Sequence, residues 1–534
     1  MLVLNEKGLE NRRAWEEKGY ILPRFDRRAM KEATRKNPQW VHFGAGNIFR
    51  AFQCAGAQKM LDEGALQTGI IAVEGYDYEI IEKGYRPQDL YSLAVTLKSD
   101  GSVEKTVIGS IAEAWMLDSE NEAEYARLKE IFRAPSLQLV SFTITEKGYS
   151  LKNPKGELLP AVAADFEAGP SKPGSYIGKV ASLLYERYRA GALPIAMVSM
   201  DNCSHNGEKL FAAMDAFARA WQDAGFIAYV NDGKKVSFPW TMIDKITPRP
   251  DASVENMLRE DGLMGLEPVI TSKNTYIAPF VNAEESEYLV IEDDFPNGRP
   301  ALEKAGFLFT DRDTVNRVER MKVCTCLNPL HTALAVYGCL LGYTRISEEM
   351  KDADLVRLIR RVGYQEGLPV VTDPGVIQPR DFIDTVVNVR LPNPFMPDAP
   401  QRIATDTSQK LAIRFGETLK AYLASDTLDI HALRAIPLVL AGWLRYLMAV
   451  DDQGNPFELS SDPLLDTVRP YVADIHLGDA LSPAVLREKL DGLLKNAVIF
   501  GVDLVEAGLA ELVCADFSGL IAGKGAVRAM LQTL

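Results

Sequence analysis

The chain has 534 residues, 47% of them hydrophobic and 25% charged, with a formal net charge of −14. That length exceeds what one hydrophobic core serves, so two large domains are expected. The acidic balance argues against nucleic acid or an anionic membrane surface as a partner, while an anionic small substrate stays open because a few local cations decide it. No apolar run reads as long enough to span a bilayer, and the start MLVLNEKGLENRRAWEEKGY places charges where a signal peptide needs apolar residues, so a cytoplasmic protein is expected. Six cysteines are too sparse for a disulfide scaffold.

Along the chain, QWVHFGAGNIFRAFQCAGAQKMLDEG gives a short apolar strand from Trp40 to Phe43, a Gly-rich turn and a helix-like segment. The next strand is TGIIAVEG, with Glu74 at its carboxyl end, and further strand-like runs follow at SLQLVSFTIT and ALPIAMVSMDN. Helix-forming stretches lie between them, a pattern that predicts a largely parallel sheet covered on both faces. From about 310 the pattern changes to amphipathic helices such as TVNRVERMKVCTCL, ADLVRLIRRVGYQEG and LDIHALRAIPLVLAGWLRYLMA. The fold class is therefore an α/β N-terminal domain with a mostly parallel sheet, residues 1–300, and a mostly α-helical C-terminal domain, residues 301–534.

In VHFGAGNIFR, Gly44 and Gly46 take the first two places of a G-x-G-x-x-G dinucleotide fingerprint, directly after a strand and before a helix. Glycine there permits a tight turn and lets the backbone approach a pyrophosphate resting on the helix N-terminus. The third place is Phe49, so helix and strand are expected to pack further apart. The predicted cofactor segment comprises Gly44, Gly46, Asn47, Ile48, Phe49 and Arg50. Glu74 stands where an acidic side chain accepts hydrogen bonds from a ribose diol and repels a 2′-phosphate, favouring NAD over NADP. A plain tight turn is the alternative.

The stretch ERMKVCTCLNPLH (319–331) holds Cys324, Cys326 and His331, which suggests zinc by residue type. The C-x-C spacing is not that of a zinc knuckle, and no second Cys/His pair follows at finger distance. It also holds Lys322 within apolar neighbours. Hydride transfer from an alcohol to a nicotinamide needs a base for the hydroxyl proton and donors for the developing alkoxide, and a buried lysine can be that base. A snorkelling surface lysine is the alternative.

Taken together, FGAGNIFRAF, VSFTITEKGY, SMDNCSHNGEKL, FPWTMIDKITP, YLVIEDDFPNGRPALEKAG, ERMKVCTCLNPLH, RLPNPF and RIATDTSQKL resemble the mannitol dehydrogenase family of long-chain polyol and sugar-acid dehydrogenases. The resemblance spans most of the chain and implies a Rossmann-type N-terminal domain, NAD as cofactor, no metal, and a C-terminal domain that closes the substrate cleft. It implies Lys322 as general base, the amides of Asn202 and Asn328 as alkoxide donors, and His331 as partner of the substrate hydroxyl or of the lysine. Glu319, one turn before Lys322, would pass protons to solvent. Thr143, Thr145 and Glu146 would face the nicotinamide, and Arg402 and Lys410 would reach the far end of the substrate. Two cations there suit a carboxylate, so the expected reaction interconverts a keto-hexuronate and a hexonate, fructuronate and mannonate or tagaturonate and altronate. A polyol dehydrogenase, a sugar-phosphate dehydrogenase, an idle nucleotide-binding protein and a metalloprotein are the rivals, and a monomer or small homo-oligomer is expected.

One departure from the family pattern matters. Relatives carry K-x4-N-x2-H, whereas Lys322 to Asn328 is K-x5-N. At roughly 100° per residue the usual spacing puts lysine and histidine within about 80° of each other, and the added residue turns His331 to about 180°. A π-bulge within VCTCL is expected to absorb it.

Overall fold

A computed structural model of the chain describes residues 1–249 and 252–534. It divides into two compact units, the first of Met1–Lys98 and Ser102–Asn316, the second of Ser99–Gly101 and Arg317–Leu534.

The first unit is built on a parallel sheet of β1 (Trp40–Phe43), β2 (Ile70–Glu74), β3 (Ile111–Met116), β4 (Leu139–Phe142), β5 (Ile195–Ser199) and β6 (Val236–Ser237). Their order across the sheet is β3-β2-β1-β4-β5-β6, and every adjacent pair runs parallel. This is the doubly wound order, whose ligand crevice lies beyond the carboxyl ends of β1 and β4 where the winding reverses. Every residue of β1, β2, β4 and β5 is buried. Alternation sends Trp40, Ile70 and Ala72 into one core and Val41, Phe43, Ile71 and Val73 into the other, so the near-continuous apolar strands fill two cores at once. Smaller sheets with antiparallel pairs, such as Ser92–Leu97 with Val103–Ile108, accompany the main one. Helix α1 (Cys54–Asp62) follows β1.

The second unit is helical. Helix α2 (Arg312–Met321) leads into it and is joined through a π turn, Lys322–Cys326, to α3 (Asn328–Leu341). Helix α4 (Ala435–Leu447) packs on α3 and is buried along its whole length. A helix apolar all round belongs in a core. Its first turn is capped from elsewhere: the Glu366 carboxylate accepts the N–H groups of Arg434, Ala435 and Ile436, each at 2.7 Å. Contrary to the sequence expectation, the run Arg312–Leu341 is long and apolar enough to cross a bilayer, but 83% of its apolar window is buried inside the protein, the condition of a core helix.

Beside α3 the short helix Ile346–Glu349 drives a carboxyl into the core. Glu349 is 0% exposed, and neither of its oxygens has a hydrogen-bond partner among the described residues. A Cβ at Gly338 of α3 would lie 2.1 Å from its Oε1, so any other residue there would have to displace the carboxyl. Burial, reinforced by the charge of Asp352, pushes the Glu349 carboxyl up to about 9 from an ordinary value of 4.5. Between those values the folded protein keeps a proton that the unfolded chain has released, so stability falls as pH rises and levels off above about 9. We expect the stability of the wild type against thermal unfolding to fall with pH over that window by at most about 1.4 kcal/mol per unit relative to Glu349→Gln. Parallel pH profiles for the two proteins contradict this.

Candidate active site

At the end of β1 the chain turns at Gly44, whose φ is +103°. A Cβ there would fall 2.2 Å from the Thr143 carbonyl oxygen, so the approach of β4 excludes any other residue. Gly46 differs: a Cβ on it would meet nothing within 4 Å. Its open side is where a pyrophosphate would lie against the backbone, ahead of a helix that begins at Asn47, so the loop fits a dinucleotide.

Phe49, in place of the third glycine, is fully buried and stacks on His42 with ring centroids 4.2 Å apart. The helix takes it in by opening into a π turn over Phe49–Gln53 rather than simply standing off from the strand. His42 pairs with Ser141 Oγ at 2.7 Å and Thr143 Oγ1 at 2.8 Å, and burial pushes it down to about 3, so it is neutral. Arg50 is buried and donates to the Ala278 carbonyl at 2.8 Å and to Asn47 Oδ1 at 2.8 Å. Within the predicted segment Gly46, Asn47 and Ile48 lie half-buried, Gly44 is buried against the end of β4, and the side chains of Phe49 and Arg50 point into the protein.

Glu74 is buried at the end of β2. Its carboxylate accepts the N–H groups of Ala45 at 3.0 Å, Tyr76 at 2.7 Å and Asp77 at 3.2 Å. Burial raises its pKa and the three donors oppose the rise. The side chain expected from sequence to accept from a ribose braces the glycine turn in the structure.

At the end of β4, Thr145 has φ +65° and ψ 160°, a region that costs a non-glycine residue of order 1–3 kcal/mol. Asp201 holds it there, accepting from the N–H groups of Ile144 at 3.0 Å and Thr145 at 2.8 Å and from the Tyr149 hydroxyl at 2.6 Å. Asp201 immediately precedes the exposed Asn202, so one carboxylate joins the loops after β4 and β5. Thr143 pairs with His42, while Glu146 is exposed and forms an ion pair with Lys209 at 2.5 Å. Asn206 is fully buried and clamps Thr241 through both ends of its amide. The Asp in SMDN was the available sign of this brace.

In the second unit the expected π turn is present. The Leu327 N–H donates to the Lys322 carbonyl at 3.1 Å, an i→i+5 bond, and α3 restarts at Asn328 with Pro329 in its first turn. A π turn holds one more residue than an α turn, which returns His331 to about 80° from Lys322. Lys322 is 4% exposed, and Glu319, Asn328 and His331 are half-buried. Burial raises the thiols of Cys324 and Cys326 to about 11 and about 12, so both are protonated packing groups at neutral pH.

His331 Nε2 lies 3.4 Å from an Asp398 carboxylate oxygen, close but off line for a formed hydrogen bond. The other Asp398 oxygen pairs with Arg402. Lys410 Nζ donates to the Thr405 carbonyl at 2.5 Å. Asp398 was not singled out by sequence; its i,i+4 spacing to Arg402 was the available signal.

Residues 38–304 match the family description "Mannitol dehydrogenase Rossmann domain", and residues 314–518 match "Mannitol dehydrogenase C-terminal domain". A D-mannonate oxidoreductase of Thermotoga maritima is 51% identical over 99% of this chain and 98% of its own length. The D-mannonate oxidoreductase of Escherichia coli is 30% identical over 90% of this chain and 96% of its own. A Pseudomonas fluorescens mannitol 2-dehydrogenase, solved as a ternary complex with NAD and D-mannitol, is 27% identical with a TM-score of 0.67, covering 100% of this chain and 99% of its own. A substrate-free D-sorbitol dehydrogenase at 24% identity and TM-score 0.75 shares the fold over 93% of this chain and 97% of its own.

The two glycines make opposite predictions. Gly46→Ala should fold with an unchanged melting temperature yet bind NADH at least about tenfold more weakly, because its Cβ enters only the space a ligand would fill. Gly44→Ala should lower the melting temperature. Equal NADH affinity in Gly46→Ala and wild type, by fluorescence titration, would sink the cofactor assignment.

Proposed function

The chain belongs to the mannitol dehydrogenase family, and from that premise we propose that it is an NAD-dependent oxidoreductase interconverting a hexonate and a keto-hexuronate, with mannonate and fructuronate as the pair. The observation that carries the reading is the 51% identity, over 99% of the chain, to a D-mannonate oxidoreductase. NAD, when bound, supplies the hydride acceptor. We assign its binding to residues 1–300, on the Gly44–Gly46 turn braced by Glu74 and flanked by Thr143 and Thr145, and the substrate chemistry to residues 301–534.

In the oxidation direction the Lys322 amine, as general base, takes the substrate's hydroxyl proton as the carbinol hydrogen leaves with its electron pair. The amide of Asn328 donates a hydrogen bond to the oxygen while it carries charge, where preorganised donors count most, and the family resemblance gives Asn202 the same role. His331 holds the hydroxyl or the lysine in line, and Glu319 returns the proton to solvent. A buried amine on a turn fixed by its own backbone hydrogen bond supports this role for Lys322. The polar far end of the pocket is assigned to Arg402 and Lys410. We place the protein in the cytoplasm, where its six unpaired cysteines suit a reducing compartment, as a monomer or small homo-oligomer.

NADH oxidation measured against keto-hexuronates, ketoses and ketose phosphates tests the substrate class, with fructuronate expected to be turned over best. Lys322→Ala should lower kcat by about 10²–10⁴, the worth of a positioned general base, with NADH affinity unchanged. Retention of wild-type turnover by that variant removes Lys322 from the mechanism.

A further inference from the structure

Resting on the sugar-acid reading above, we propose that Arg414, a residue outside the set identified from sequence, binds the substrate carboxylate together with Lys410. Two fully buried guanidiniums, those of Arg187 and Arg445, are held by backbone carbonyls. Arg187 donates to those of Phe132, Ala134, Leu137 and Pro194, and Arg445 to those of Leu520, Val450 and Asp451. Arg414 is not. Among the described residues its one acceptor is Thr332 Oγ1 at 2.5 Å, and no carboxylate forms an ion pair with it.

Its position is specific. Thr332 Oγ1 donates in turn to the Asn328 carbonyl at 2.8 Å, so the guanidinium sits at the first turn of α3, which carries Asn328 and His331. Arg414 belongs to a second π turn, Ala412–Gly416, that packs against the π turn holding Lys322. Burial lowers its pKa to about 10, which leaves it charged at neutral pH. The charges of Arg414 and Arg402 help lower the pKa of Lys410, after burial, while Asp406 and Asp462 act in the opposite direction without an ion pair to it.

Arg402 has its counter-ion in Asp398, whereas Arg414 and Lys410 form a half-buried cationic pair without one. A carboxylate bound between them removes their repulsion and presents two oxygens to the guanidinium fork. A hexitol or hexulose has no such charge to offer. Arg414 therefore separates sugar acids from neutral sugars.

Steady-state kinetics with fructuronate and fructose test this. Arg414→Gln should raise KM for fructuronate by about 10- to 100-fold, the loss of a charge-assisted bidentate contact, and lower the fructuronate-to-fructose ratio of kcat/KM. Arg414→Lys, which keeps the charge but not the fork, should lose less, and so should Arg402→Gln. An unmoved KM and ratio in Arg414→Gln overturn the inference, as does a larger loss in Arg402→Gln. If circular dichroism shows Arg414→Gln unfolded, Arg414→Lys decides: an unmoved KM for fructuronate overturns the inference. A wild type that oxidises NADH with no keto-hexuronate overturns the sugar-acid reading instead, which keeps the two failures apart.

Discussion

The hydrogen bond from the Leu327 N–H to the Lys322 carbonyl sets the phase of everything that follows it on α3. An α-helical continuation would carry Asn328 and His331 to the far side of the helix from Lys322. The i→i+5 closure spends the extra residue inside the turn instead. Pro329 makes the break cheaper, since the N–H it lacks is one that a restarting helix leaves unpaired anyway. The neighbours are shaped for it: this π turn packs against two others, Arg361–Gly367 and Ala412–Gly416. At Gly367 a Cβ would come within 2.9 Å of Thr325, so a side chain on that turn would press on the Lys322 turn. With a widened turn on each of two sides, the Lys322 turn cannot revert to α geometry without disturbing its neighbours.

In the first unit, buried carboxylates do the equivalent work. Glu74 and Asp201 each stand at the carboxyl end of a strand, and each spends its oxygens on N–H groups of a neighbouring loop. Desolvation alone would neutralise such groups; the donors hold them nearer to ionisation. Glu349 shows what happens without donors, for there burial prevails and the group is neutral. The two N–H groups that Asp201 accepts keep Thr145 in a backbone conformation it would otherwise leave.

What could be read from the sequence follows from how local each signal is. Strand β1 was legible to the residue because a four-residue run with three apolar side chains ends at an obligatory glycine, and the π turn was legible because a one-residue surplus has few other outlets. The pairing of Asp398 with Arg402 and the exposure of Glu146 were not, since both depend on which way a long side chain turns once the helices have packed. Phe49 is the instructive intermediate. Its identity ruled out close helix packing, but the remedy, a π turn with the ring on His42, required a partner seven residues earlier on the strand. Arg414 lay outside the reading altogether because nothing in IRFGE distinguishes a half-buried cation from a solvated one.

The charges at the start of α3 show why a basic residue near a site is weak evidence until its counter-ions are counted. Arg402 satisfies the sequence expectation of a cation in the right segment, yet the structure gives it Asp398, and the same carboxylate also faces His331. A guanidinium so paired has one edge committed and its field largely cancelled, so an incoming anion gains little from it beyond a second hydrogen bond. A neutralised arginine can still steady the carboxylate that faces His331, which makes it more useful as part of the histidine's support than as an anion receptor. The field that an acidic substrate would respond to then falls to Arg414, on the turn packed against the Lys322 turn, and to Lys410 four residues before it, neither of which has a carboxylate partner among the described residues.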